Sequence, residues 1–242
     1  FYNIVIVPLI VPFIILMTVG PQFKWINSHN IKFYKTIFVF LGALTINLLI
    51  YYFFGSYSVL TNLIFIVAIF LILQCFFDAK QSLYKNKKSE YPRIISHLGF
   101  GLLVLCIGVN HQYSLEVDFN LKVGENKKVN NYEIYFKNIK IEQNKNYQSI
   151  IGNFKLTDLK NNLVQYLDPE IRVYSNPETL TYEAAIKSRI TSDFYLTMSN
   201  VSRSEYYNIK FQNKPFMIWI WISAFIIASG GFVQLILKKN EN

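Results

Sequence analysis

The sequence predicts a polytopic α-helical membrane protein, with five transmembrane helices and a small all-β domain inserted before the last of them. Three observations predict it. Four stretches carry no formal charge. Basic residues gather in every second connection between the spans. The segment 112–214 alternates apolar and polar side chains at strand spacing. Composition agrees: of 242 residues, 52% are hydrophobic and only 16% charged, against about 25% in a typical soluble domain. That excludes a single soluble globular domain and an intrinsically disordered chain. Two cysteines exclude a disulfide-dense scaffold, and any four-cysteine zinc or iron–sulfur site made by this chain alone. The chain opens on Phe1, which reads as a fragment or a processed product.

The spans follow from length. Phe1 to Phe23 is uncharged, and Thr36 to Phe77 is a run of 42 uncharged residues. A bilayer core of about 30 Å takes roughly 20 helical residues. The long run would reach about 63 Å at 1.5 Å per residue, so it crosses twice, turning at Gly55-Ser56. From Ile94 to Leu115 the ionisable side chains are His97, Cys106, His111 and Tyr113, and Pro215 to Leu237 is again uncharged. The five spans are therefore 3–20, 35–54, 58–77, 94–111 and 215–237. The domain organisation is a four-helix transmembrane region over 1–111, an extracytoplasmic β-rich domain over 112–214, and a C-terminal transmembrane helix with a short cytoplasmic tail over 215–242.

Charge sets the expected orientation. Lys24, Lys32 and Lys35 separate the first two spans. Lys80, Lys85, Lys87, Lys88 and Arg93 separate the third and fourth, and Lys238 and Lys239 follow the fifth. Lys and Arg accumulate in cytoplasmic loops. The C-terminus is then cytoplasmic and 112–214 extracytoplasmic. The net charge of +9 resides mostly in the membrane part, because 112–214 balances fourteen basic residues against twelve acidic ones. The charge is topological, with some attraction to anionic lipid heads. It gives no basic stripe for nucleic acid.

Within 112–214, Tyr132, Ile134 and Phe136 alternate as one strand face, and Ile139 and Ile141 continue after a change of phase. Further strands are expected at Ile150–Ile151, Phe154–Leu156, Leu163–Leu167, Ile171–Tyr174, Phe194–Met198 and Tyr207–Phe211. Gly124, Gly152, Asp158 and Asn176-Pro177 are expected to turn the chain between them. Thr181–Arg189 suits a short helix. The expected architecture is a small β-sandwich or barrel.

Few residues carry candidate chemistry. His29 reads as a solvated loop residue, and His111 as an interfacial side chain. His97 lies about one turn inside the fourth span, in Ser96-His97-Leu98-Gly99-Phe100-Gly101. An intramembrane ionisable residue marks a functional site by default, and neutral imidazole is a common axial ligand to haem iron. The alternative is a histidine hydrogen-bonded to a neighbouring helix. Gly99 and Gly101 would let another helix or a flat macrocycle come close. His97 and His111 are 14 residues apart, about 21 Å along a helix, so they cannot share one iron. Cys75 and Cys106 read as packing residues. Trp219 and Trp221 read as an interfacial belt, or else as a surface against a porphyrin. Asp168, Glu170, Glu178, Glu183 and Asp193 are too scattered to make a catalytic pair by spacing. Apart from His97, no intramembrane charge marks a transport path. Nucleotide-binding and hydrolase motifs are absent.

The sequence Lys214-Pro215-Phe216-Met217-Ile218-Trp219-Ile220-Trp221, with Gly230-Gly231 beyond it, resembles the K-P-F-x-x-W-I-W…G-G signature of one family. That family is the large subunit of the System I cytochrome c haem lyase, CcmF/CycK/NrfE. Leu167-Asp168-Pro169-Glu170 to Tyr174 resembles its L-x-P-E-x-R-x-Y. Thr181 to Ile186 resembles its T-E-A-A-I, with Tyr182 inserted, and Asp193-Phe194-Tyr195 resembles its R-D-L-Y. Val7-Pro8-Leu9 with Gly20-Pro21, and His97-Leu98-Gly99, resemble its V-P-L…G-x-G-P and H-L-G.

The resemblance implies the C-terminal portion of such a protein. The family's W-W-D segment, its two outer histidines and its partner transmembrane histidine lie in the N-terminal portion and are absent here. It implies a component of the machinery that attaches haem covalently to the C-x-x-C-H cysteines of apocytochrome c, completed by the N-terminal portion and inactive alone. It also implies a membrane haem b with His97 as one axial ligand and the second ligand outside this chain, besides a transient haem substrate. Implied partners are the N-terminal portion, a haem chaperone, other lyase subunits and apocytochrome c. The implied setting is a bacterial inner membrane, or else a mitochondrial one. The competing class is a non-catalytic membrane scaffold whose outer β-domain docks assembly partners.

Overall fold

The computed structural model describes residues 2–23, 33–55, 57–201 and 204–239. The chain divides into two compact units, one of helices (1–112 and 219–242) and one of strands (113–218).

Among the described residues the helical unit holds five helices long and apolar enough to cross a membrane: α1 (Tyr2–Val19), α2 (Phe33–Phe54), α3 (Val59–Tyr84), α4 (Tyr91–Tyr113) and α5 (Met217–Lys239). The turn after α2 is made by Gly55, at φ +89°, where a side chain would be strained. Its N–H donates to the carbonyl of Tyr51 at 3.1 Å. Ser58 caps α3, its hydroxyl accepting the Thr61 N–H at 3.2 Å, as N-terminal serines do. Pro8 and Pro12 lie inside α1, a placement that membrane helices tolerate because neighbouring groups re-satisfy the backbone.

Helix α3 is the central one: half of its apolar window is buried (50%), against 11% for α2 and α5. One face packs Val67, Leu71 and Cys75 with Ile14 of α1 and Ile94 of α4. Another packs Phe65, Ile69 and Phe70 with Ala43 of α2.

The strand unit is a sandwich of two antiparallel sheets. Its strands are β1 (Leu115–Leu121), β2 (Asn126–Val129), β3 (Tyr132–Gln143), β4 (Tyr147–Asp158), β5 (Leu163–Leu167), β6 (Glu170–Ser175), β7 (Glu178–Glu183), β8 (Ala185–Lys187), β9 (Ser192–Asn200) and β10 (Tyr207–Pro215). One sheet runs β1-β10-β9-β8. The other runs β2-β3-β4-β6-β7, with β5 also pairing β4. The long strand β4 gives its first half to β6 and its second half to β5. Inward residues at period two build one core: Ile134 and Phe136, Phe154 and Leu156, Leu196 and Met198, Ile209 and Phe211. Phe136 stacks on Phe154 with ring centroids 4.2 Å apart.

The expected fold class is the observed one, with local corrections. The change of phase within β3 is a register shift between Phe136 and Asn138, a bulge that re-aims the alternation. Gly152 does not turn the chain. It lies inside β4, where a Cβ would meet the Met198 sulfur and the Phe154 ring at 2.7 Å; it is glycine because the core leaves no room. Thr181–Arg189 is not helical. Its residues finish β7 and form β8, because Arg172, opposite Thr181, and Leu196, opposite Ala185, recruit them to the two sheets. Asp158 closes β4, and its carboxylate accepts the Lys160 N–H at 3.0 Å and the Asn161 amide at 2.8 Å. Helix α3 also runs past residue 77 to Tyr84 and carries Asp78 and Lys80 within it.

Candidate functional site

His97 lies in the second turn of α4, half-buried. None of the described residues donates a hydrogen bond to its imidazole or accepts one from it. Gly99 faces α5, where a Cβ would strike the Ile227 backbone nitrogen at 2.8 Å. Gly101 faces α3, where it would strike Ile72 at 2.9 Å. Both glycines therefore serve helix packing and leave no flat opening for a macrocycle at their own positions. Gly230 of α5 meets α4 more tightly still: a Cβ there would lie 2.7 Å from the Pro92 carbonyl. Ser96 donates to the Ile227 carbonyl at 3.2 Å. Helix α4 is thus held between α3 and α5, and His97 shares a helix face with Arg93 and Gly101, four residues to either side.

A second feature escaped the sequence reading, which expected no charge in the membrane besides His97. Asp78 of α3 is 4% exposed. One of its oxygens accepts the Arg93 guanidinium at 3.1 Å. The other accepts the Gln74 amide at 2.8 Å and the Gln22 amide at 3.2 Å. Arg93 also reaches Glu90 at 3.9 Å. The signal was present as Gln74 and Asp78 at i,i+4 before a turn, with Arg93 after it. It was masked because the charges looked like loop residues. The Gln74 carbonyl oxygen is buried with no hydrogen-bond partner among the described residues.

The other expectations fall as follows. His111 lies in the last turn of α4, exposed, and on the same helix as His97; one site does not hold both. His29, Lys24 and Lys32 lie outside the described residues. Cys75 and Cys106 are buried free thiols. Trp221 is 66% exposed on α5, and Trp219 36%. Lys85, Lys87 and Lys88 are exposed, as read. Among the described residues no three His, Cys, Asp or Glu side chains group as a metal site.

In the sandwich, Glu170 and Glu183, which spacing alone kept apart, stand directly opposite on β6 and β7. Like charges in that position repel. Arg172 bridges them, reaching Glu170 at 2.9 Å and Glu183 at 3.7 Å. The hydrogen bond to Glu170 pushes its pKa above the usual guanidinium range. Ser149 donates to Glu170 at 3.0 Å, and Arg172 lies over the Tyr147 ring at 5.1 Å. Asp168 accepts from Asn153 at 2.7 Å, and Asp193 from Ser188 at 3.1 Å. These carboxylates are tied into the fold.

As a donor set, the described residues of the helical unit offer the His97 imidazole, which makes no hydrogen bond to a described neighbour. That suits a haem iron that takes its other axial ligand elsewhere.

Residues 112–215 match the family model described as the CcmF C-terminal beta-sandwich. Over 241 residues the chain is 27% identical to the cytochrome c-type biogenesis protein CcmF of Escherichia coli K12, covering 97% of this chain and 37% of that protein. It is 25% identical to CcmF of Haemophilus influenzae, covering 99% and 39%. It is 19% identical to CycK of Bradyrhizobium diazoefficiens, covering 97% and 38%. A solved structure titled cytochrome c heme lyase CcmF superposes with a TM-score of 0.78 at 16% identity, over 97% of this chain and 40% of that one. The chain thus spans about two-fifths of the length of these relatives. It is a multi-pass membrane protein whose segment 112–215 is a CcmF C-terminal beta-sandwich domain, and over nearly its whole length it is similar to the C-terminal part of CcmF and CycK proteins.

Proposed function

We propose that this chain is the C-terminal portion of a membrane cytochrome c haem lyase, and that His97 supplies one axial ligand to a haem b whose second ligand lies outside the chain. The observation that carries the reading is His97 itself: a half-buried imidazole on an apolar spanning helix, with neither ring nitrogen hydrogen-bonded to a described residue. When bound, the haem supplies one-electron chemistry at a potential set by axial ligation and burial. The chain's own part is to hold the imidazole. Ser96 ties α4 to α5 beside it, and Gly99 and Gly101 let both neighbouring helices close on it.

The sandwich, 112–214, lies on the extracytoplasmic side of a bacterial inner membrane, with the C-terminus cytoplasmic; the basic connections support this orientation. It docks or supports a haem chaperone, other lyase subunits or apocytochrome c. Its clustered carboxylates are engaged internally, which favours a supporting role over a catalytic one.

The test is the reduced haem b spectrum of the complex of this chain with the rest of the lyase, wild type against His97→Ala. Haem content is expected to fall to background in the variant. Undiminished haem in His97→Ala removes the reading.

A further inference from the structure

We propose that Asp78 and Arg93 form a fixed charge pair that sets the reduction potential of the haem assigned to His97, with Arg93 as the cation and Asp78 as the positioning residue that holds and offsets it. This rests on the reading of His97 given above.

The argument is geometric. Arg93 is four residues before His97 on α4, so the two side chains rise from the same helix face, with Cβ atoms about 5–6 Å apart. Nothing about the pair is casual. Asp78 is buried to 4% exposure, and its two oxygens accept three hydrogen bonds, from Arg93, Gln74 and Gln22. These come from three different segments: the turn after α1, α3 and α4. The guanidinium is therefore held in place by a carboxylate that is itself held in place. With the carboxylate buried and the Arg93 side chain 32% exposed, such a pair is weak evidence for stability, since apolar residues could replace it at little cost. A fixed charge within a turn of a metal ligand and partly withdrawn from solvent instead acts on the metal's charge state. The cation opposes the extra positive charge of the oxidised iron and raises the potential. The carboxylate moderates that effect.

The two charges act with opposite signs, and a purely structural role would not reproduce this. In the complete lyase complex, the midpoint potential of haem b is read by spectroelectrochemical titration. The variants are Asp78→Asn, Arg93→Gln and the double variant. Asp78→Asn keeps an acceptor for Arg93 while deleting the negative charge, and is expected to shift the potential upward. Arg93→Gln is expected to shift it downward, and the double variant to return towards wild type. Shifts of the same sign in both single variants overturn the proposal, as do unchanged potentials with haem retained. If Asp78→Asn loses its haem, the sign in Arg93→Gln decides alone; if both single variants lose it, the pair is an anchor for the fold and the proposal falls. His97→Ala separates the two readings. Haem retained there overturns the assignment of His97 and this proposal together. Haem lost there, with potentials insensitive to Asp78 and Arg93, overturns only this proposal.

Discussion

In the sandwich the side chains with no exposure at all are Ile134, Phe136, Phe154, Ile171, Leu196, Met198, Ile209 and Phe211, and every described charge except Asp158 and Asp193 is at least partly exposed. In the helical unit Asn47, Gln74, Asp78 and Ser82 are as buried as Phe65 and Leu71, while Leu9, Phe38, Tyr52 and Phe225 are more than two-thirds exposed. The two regions use the same twenty residues in opposite senses because their solvents differ. Water drives apolar side chains together in the sandwich. Lipid tails gain nothing from that, so helices associate through close backbone approach and polar contacts. The Gly230–Pro92 and Gly99–Ile227 approaches are of the first kind. The Asn47–Asn62 amide bond at 3.1 Å and the Asp78 cluster are of the second.

If that contrast is right, deleting one ring should cost most where water drives the packing. Expressed alone, 112–214 is expected to be soluble with a β-rich circular dichroism spectrum; a helical spectrum breaks the comparison at its root. Within that segment, Phe154→Ala removes a fully buried ring stacked on Phe136 and is expected to cost about 3–5 kcal/mol, read as a drop in the urea midpoint.

In the helical unit the sensitive feature is the opposite one, an added methyl group. Gly230→Ala would place a Cβ against the Pro92 carbonyl and the Ser96 backbone, whereas one at Gly231 meets nothing within 4 Å. The first is expected to destabilise by about 1–3 kcal/mol and to lower the melting temperature in detergent, and the second to leave it unchanged. Equal effects would deny that backbone approach holds α4 to α5.

The smallest effect concerns the carboxylate that closes β4 of the sandwich. Burial raises the Asp158 pKa, but the bonds from Asn161 and the Lys160 N–H outweigh it, and the carboxyl titrates below its usual range. A pKa depressed on folding adds stability above the unfolded value of about 3.9, and this is lost as pH falls through the folded value. The urea midpoints of 112–214 and its Asp158→Asn variant should therefore differ at pH 7 and converge below about pH 4. A constant gap would mean that the side chain acts there without its charge.

How legible each region was follows from the same physics. The strands at Leu163–Leu167 and Phe194–Met198 were readable from alternation, because a two-residue period survives any choice of partner strand. Gly152 was misread as a turn, because the ring of Phe154 and the sulfur of Met198 that require it are brought to it by folding. Thr181–Arg189 was misread because its helical preference is local and its strand partners are not. Glu170 and Glu183, thirteen positions apart in the chain, became neighbours only through the β6–β7 register.

By itself the sequence determined that five apolar segments are long enough to cross a membrane and that a β-domain interrupts them before the last, since length, charge and period are properties of the chain alone. Only the tertiary structure decided that Asp78 lies buried against Gln74, Gln22 and Arg93, the last of these one helical turn before His97. A carboxylate can remain buried only if several donors converge on it, and here they come from three separate segments that folding alone brings together.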